Sequence, residues 1–240
     1  MLSSGLHYFP LAWPFLLLLA GLLGVAAAVV AVKILDFTSA SMGLGPGTML
    51  SVLLLALLGS YVNIPVAYLP ERVVTSAAEV TYFGMRYMIP VIREWPATVI
   101  AVNVGGAVIP TLLSLYLVAK SRLYGLSLAG ITIVATVCHY LAEPVPGLGI
   151  AEPVFIPPLT AAVTALLLAR RRAAPIAYAS GSLGTLIGAD LLNLNKVQGL
   201  GAPIVSIGGS GTFDGIFVTG LLAVVYASLA TRAEARKHRE

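Results

Sequence analysis

Charge is what this chain lacks. Only 10% of its 240 residues are Asp, Glu, Lys or Arg, against about 25% in an ordinary soluble domain. The shortage runs along the whole chain, 58% of which is hydrophobic, with a mean hydropathy of +0.95. A water-soluble protein of this size covers its surface with charge, so most of this surface must face lipid. Cysteine is scarcer still. Cys138 stands alone, which excludes an intrachain disulfide and a cysteine-based zinc site. The net charge of +4 comes largely from the last nine residues, and no basic stripe lies beside aromatics, so nucleic acid is excluded as a partner. There is no Walker loop, no Gly-x-Ser-x-Gly elbow and no paired-histidine motif. The Gly-x-Gly pieces follow no predicted strand. No metal and no cofactor are expected.

What is present is apolar sequence in seven runs, each near bilayer-spanning length. They are Leu11–Val32, Gly47–Ile64, Thr98–Ala119, Leu126–Leu141, Val154–Ala169, Ala174–Leu192 and Ile204–Ala230. The fourth and fifth are short and flanked by proline, which leaves re-entrant segments as an alternative to full spans. The first has no basic stretch before it and exceeds a signal-peptide core, so it is read as a retained helix. The expected fold is a single all-α integral membrane domain over residues 1–240, with about seven transmembrane helices.

Basic residues orient it. With seven spans, the loops on the C-terminal side hold Lys33, Lys120, Arg122, the run Arg170–Arg172 and the basic tail of residues 231–240. The other side holds only Arg72, Arg86, Arg93 and Lys196, three of them in one long loop, and collects Glu71, Glu79, Glu94, Glu143 and Glu152. By the positive-inside rule the C-terminus is cytoplasmic and the N-terminus outside. The expected location is the plasma membrane, multi-pass. The long outer connection, residues 66–96, is rich in β-branched and aromatic residues around Gly84. That predicts a small extracytoplasmic β-hairpin; Val73, Ala77, Val80 and Tyr87 also fit one face of a helical loop. A weak internal repeat pairs Leu58–Pro65 with Leu183–Asp190, and Asn103–Gly106 with Ser206–Gly209.

Polar residues placed where lipid should be carry the chemistry. Asp190 lies near the outer end of the sixth run and Asp214 inside the seventh. A carboxylate at the bilayer centre costs about 3 kcal/mol on insertion scales, so a partner, water, a cation or a proton must compensate. Gly208, Gly209, Gly211 and Gly215 crowd the second aspartate. Each disfavours regular helix by about 1 kcal/mol relative to Ala, and unwound backbone at membrane depth belongs inside protein or beside water. Close helix packing by small residues is the competing explanation; Ser210 and Thr212 among the glycines tip the reading toward a cavity. The two aspartates reach equal depth only if residues 206–212 are unwound. Asn63, Asn103, Gly105, Gly106, Gly188 and Asn193 fall on the same side, as do His139 and Glu143. Together they predict an outward-facing polar pocket built from the second, third, sixth and seventh runs.

The motifs Asn63-Ile-Pro, Asn103-Val-Gly-Gly, Gly147-Leu-Gly-Ile-Ala-Glu-Pro, Gly184-Thr-Leu-Ile-Gly-Ala-Asp and Gly208-Gly-Ser-Gly-Thr-Phe-Asp-Gly-Ile-Phe resemble those of the bacterial and archaeal membrane proteins grouped as domain of unknown function 1614. The resemblance runs from the second apolar run onward and implies membrane location and a shared polar core. Gly188-Ala-Asp190 is also similar to the Gly-x-Gly-Asp motif of intramembrane aspartyl proteases such as presenilin and the prepilin peptidases. Ala189 replaces the second glycine, and the Tyr-Asp and Pro-Ala-Leu motifs of presenilin are absent.

Three functions fit these residues. In an intramembrane aspartyl hydrolase, Asp190 and Asp214 share one proton and act as base and acid on a membrane peptide. In a proton- or Na⁺-coupled transporter of a small solute, Asp214 in a broken helix holds the ion. In a non-catalytic scaffold subunit the polar residues pack helices. The bilayer is the one certain partner, and a homo-oligomer is compatible with each reading.

Overall fold

The computed structural model describes residues 13–82, 85–95, 97–145, 149–197, 200, 202–209 and 215–237. Among the described residues seven α-helices fall on the apolar runs: α1 (Trp13–Ser41), α2 (Thr48–Gly59), α3 (Ile109–Ser121), α4 (Tyr124–Leu141), α5 (Ile156–Ala169), α6 (Ala173–Thr185) and α7 (Gly215–Lys237). Prolines open two of them. Pro110 sits in the first turn of α3, and Pro157 with Pro158 in the first turn of α5, where the missing N–H has no intrahelical partner to lose.

Among the described residues four helical stretches are long and apolar enough to cross a bilayer: Phe15–Ser41, Val104–Ser121, Tyr124–Leu141 and Gly215–Glu234. They mark the chain as a membrane protein. α2 and α5, at 12 and 14 residues, fall short of the roughly 20 a straight crossing needs.

The fold is not purely helical, which corrects the all-α expectation. β1 (Asn63–Leu69), β4 (Thr98–Asn103) and β7 (Ile204–Ile207) form a three-stranded sheet in the order β1-β4-β7, antiparallel then parallel. The third and seventh apolar runs therefore begin as strands. Their Val- and Ile-rich starts, Thr-Val-Ile-Ala-Val-Asn and Ile-Val-Ser-Ile, fit buried strand as well as helix, and periodicity does not separate the two over so few residues. The long connection of residues 66–96 contains the antiparallel hairpin β2 (Arg72–Tyr82) and β3 (Met85–Trp95), whose register pairs Tyr82 with Met85. The β-hairpin expectation holds and the helical alternative does not. A third small sheet pairs β5 (Glu143–Val145) with β6 (Gly149–Ala151).

α6 is the hub, packed against α3, α4, α5 and α7. It is buried almost all round, and apart from Ile176 and Tyr178 its buried residues are small, among them Ala173, Ala177, Ser180, Gly181 and Gly184. Small residues are what let helix backbones approach in a membrane. Gly181 faces the Cα of Gly220, where an added Cβ would stand only 3.3 Å away. Larger groups turn outward: Leu167 is 82% exposed and Leu128 66%. α1 leaves the bundle, and only its last turns, at Leu35, Thr38 and Ser39, are buried. A separate apolar cluster of Ile100, Ala107, Leu186, Ile207 and Ile216 seats the three-stranded sheet on the helix ends.

Basic groups gather at the other end. Lys120 Nζ donates to the Gly43 carbonyl, Arg170 pairs with Glu234, and Arg232 lies 4.2 Å over the Phe37 ring. From Ala173 to Asp190 a helical rise of about 1.5 Å per residue separates the two ends by about 25 Å.

Candidate functional site

α6 does not stop at Thr185. It widens into a π-turn over Leu186–Asp190 and then tightens into a 3₁₀ segment over Leu191–Lys196. Such breaks in helical register are frequent at functional sites. Asp190 stands at the junction. Its carboxylate Oδ2 accepts the Gly208 N–H at 2.7 Å. Gly208 has φ +94°, and its backbone presses on Gly106 and Ala107, so a side chain there would be both strained and obstructed.

The asparagines do join, through backbone and side chain. Asn103, 2% exposed, donates to the Ser60 carbonyl at 2.8 Å and to Asn63 Oδ1 at 3.1 Å. Its own Oδ1 accepts the Gly106 N–H at 2.8 Å, capping the π-turn Val104–Val108 that leads into α3. Ser206 on β7 donates to the same Asn63 Oδ1 at 2.7 Å. One amide network thus ties α2, β1, β4 and β7 together. Gly105 makes this possible: a Cβ there would collide with the Ala56 carbonyl and stand 2.5 Å from Ser60 N and Oγ. Asn193, fully buried, donates to the carbonyls of Gly188 and Ala189 at 2.9 and 3.0 Å, satisfying the π-turn's backbone. Gly188 in turn lies against Ala135 and Cys138 of α4.

The predicted pocket therefore divides. Asn63, Asn103, Gly105 and Gly106 form a hydrogen-bonded frame whose partners are all within the protein. Asp190 and Gly209 instead line a cavity of about 90 Å³ with Ile150, Leu194, Ser206 and Ile207. Ser210, Thr212 and Asp214 lie outside the described residues, so their pairing with Asp190 stays an expectation. β7 excludes one continuous helix over 204–214.

A second acid, half-buried, is Glu152 in the loop after β6. Burial pushes its carboxyl up to about 7; a hydrogen bond from the Cys138 thiol opposes that rise, and the charge of Asp190 adds to it. One oxygen, Oε2, is buried without a hydrogen-bond partner. Cys138 also lies 3.6 Å from Thr185 Oγ1. Sequence reasoning placed Glu152 among outer loop residues, and the signal was its motif, Gly-Leu-Gly-Ile-Ala-Glu-Pro. Nothing in the spacing announced that the β5–β6 hairpin folds it back onto α4. Among the described residues no group of three His, Cys, Asp or Glu side chains is arranged to hold a metal ion.

The model of one protein family, described as "Protein of unknown function (DUF1614)", matches residues 57–226. That stretch covers most of the chain and includes every element of the site. The chain belongs to the DUF1614 family. All five motifs that resemble DUF1614 lie within the match, including both ends of the Asp190–Gly208 contact. No curated protein and no solved structure matches the chain. The likeness of Gly188-Ala-Asp190 to the aspartyl-protease motif remains one of three residues.

Proposed function

We propose that this is a multi-pass protein of the cell membrane whose outward-facing carboxylate site binds and releases a proton or Na⁺ to drive transport of a small solute. The proposal includes seven membrane passes, with the N-terminus outside and the C-terminus in the cytoplasm. The short α2 and α5 count among these passes. The carrying observation is Asp190 at the break in α6, one oxygen held by Gly208 and the carboxylate on the wall of a small cavity. Ion-coupled transporters bind substrate and ion at discontinuous helices, where unwound backbone coordinates the ion, and an ionisable side chain buried at membrane depth marks an ion or proton pathway. A volume of about 90 Å³ leaves room for an ion and water. Glu152 supplies a second carboxyl that changes charge near neutral pH.

The test is uptake by proteoliposomes under an inward pH or Na⁺ gradient. The probe is a mixture of amino acids, organic acids and sugars, read by mass spectrometry. Gradient-driven uptake of one solute class by the wild type, lost in Asp190→Asn, supports the reading. Equal uptake by Asp190→Asn sinks it.

One observation favours a second reading, an intramembrane aspartyl hydrolase. β7 is the sheet's edge strand among the described residues, and it lines the same cavity as Asp190. An extended peptide added to β7 would lie beside the carboxylate, with Glu152 or Asp214 as the second acid. Cleavage of a transmembrane-peptide pool in the same vesicles, lost in Asp190→Asn, selects this reading. A chain with neither activity is a scaffold.

A further inference from the structure

The end of the bundle opposite the sheet carries a second site. A cavity of about 230 Å³ opens between Ser41 at the end of α1, the turn Arg170–Arg172, and Ser228, Thr231 and Arg232 of α7. Arg170 is paired with Glu234. Arg171 and Arg172 have no ion-pair partner among the described residues. Arg232 is held over the Phe37 ring, a contact that fixes the guanidinium and leaves its charge in place. Three cationic forks thus surround one hollow. Ser228, only 8% exposed, is among its lining residues, and its buried Oγ has no hydrogen-bond partner.

A second hollow adjoins the first at the Arg170–Glu234 pair. This groove, about 420 Å³, is lined by Val163, Leu166 and Leu167 of α5 and by Ala230 of α7. A cationic hollow joined to an apolar groove has the shape of an amphiphile. Guanidinium forks match phosphate oxygens, and basic hollows between membrane helices suit acidic headgroups.

We propose that this end of the bundle binds an anionic phospholipid, its phosphate held by Arg171, Arg172, Arg232 and the Ser228 hydroxyl, and an acyl chain lying in the α5–α7 groove. The groove is what separates a lipid from free phosphate, which has no use for it. The unneutralised charge is what separates an anionic lipid from a zwitterionic one. The site lies about 25 Å from Asp190 and does not depend on the transport reading.

The test is thermal unfolding of the full chain in detergent, with short-chain phosphatidylglycerol, short-chain phosphatidylcholine or sodium phosphate added. Phosphatidylglycerol at a hundredfold excess over its Kd should raise Tm by roughly 5–10 °C. The double variant Arg171→Gln/Arg172→Gln, both exposed side chains, should melt like wild type without lipid and bind at least roughly tenfold more weakly. Ser228→Ala should weaken binding in the same direction. Arg122→Gln, a basic residue outside the hollow, should leave it unchanged. Equal stabilisation by phosphatidylcholine, equal stabilisation by sodium phosphate, or undiminished lipid affinity in the double variant would each overturn the proposal.

Discussion

Replacing Gly105 by alanine should unseat the sheet from the helices. The new Cβ would meet the Ala56 carbonyl and lie 2.5 Å from both Ser60 N and Ser60 Oγ. None of these is the flexible end of a long side chain. Ser60 N is itself bonded to Ala56 O at 2.9 Å, and Ser60 Oγ to the same carbonyl at 2.8 Å, so the end of α2 must move as a unit. That motion also pulls the Ser60 carbonyl off Asn103, the hub of the amide network. Overpacking typically costs about 1–3 kcal/mol, and a strained buried hydrogen bond adds about 1 kcal/mol. At about 2–4 °C per kcal/mol for a chain of this size, Tm should fall by roughly 5–15 °C. Gly125→Ala is the control, because a Cβ there meets nothing within 4 Å and an exposed helical alanine is favoured by about 0.5–1 kcal/mol. The assay is tryptophan-independent thermal unfolding in detergent, such as circular dichroism at 222 nm. A Gly105→Ala protein melting within about a degree of wild type would refute the packing described for α2 and the π-turn.

Asn103→Ala should cost about 2–4 kcal/mol, measured by denaturant or thermal unfolding, because it leaves the buried Ser60 carbonyl and Gly106 N–H unpaired. Glu152 should make the fold pH-dependent. Its folded value, about 7, lies above the ordinary 4.5, so its contribution is fully present below about pH 4.5 and lost as pH rises through about 7. Wild type should thus be less stable at pH 8 than at pH 5.5, by at most about 2 kcal/mol, and Glu152→Gln should flatten the difference. Cys138, fully buried, should react with a maleimide at least roughly a hundredfold more slowly in the folded protein than after denaturation. A thiol labelled at the same rate in both states would contradict the packing of α4 against the π-turn.

Membrane class and the helix positions were legible because apolar runs of this length have few other uses. The hairpin was legible from β-branched and aromatic residues around Gly84. The three-stranded sheet was not. Thr98–Asn103 and Ile204–Ile207 read as the first turns of helices, and only their pairing across a hundred residues makes them strands. The suspected repeat has a structural trace, since β4 and β7 lie parallel and each precedes a Gly-Gly pair. Their register sets Ser206 beside Ala101, however, two residues from the motif match at Asn103. The frame of the site was legible as polar residues at helix ends, because an asparagine beside glycines is the chemistry a capped, closely packed break requires. Glu152 was hidden by a contact order that spacing does not encode, as two three-residue strands turn it back toward Cys138.

The proposal's central claim is that Asp190 and Glu152 belong to one site, close enough for Glu152 to feel the charge of Asp190. Infrared titration of the carboxyl C=O bands tests it directly, comparing wild type, Asp190→Asn and Glu152→Gln in detergent. The predicted result is a band titrating near pH 7 that Glu152→Gln abolishes and that Asp190→Asn moves to lower pH, because removing the neighbouring charge eases ionisation. A band that survives Glu152→Gln, or one that Asp190→Asn leaves in place, would contradict a shared site.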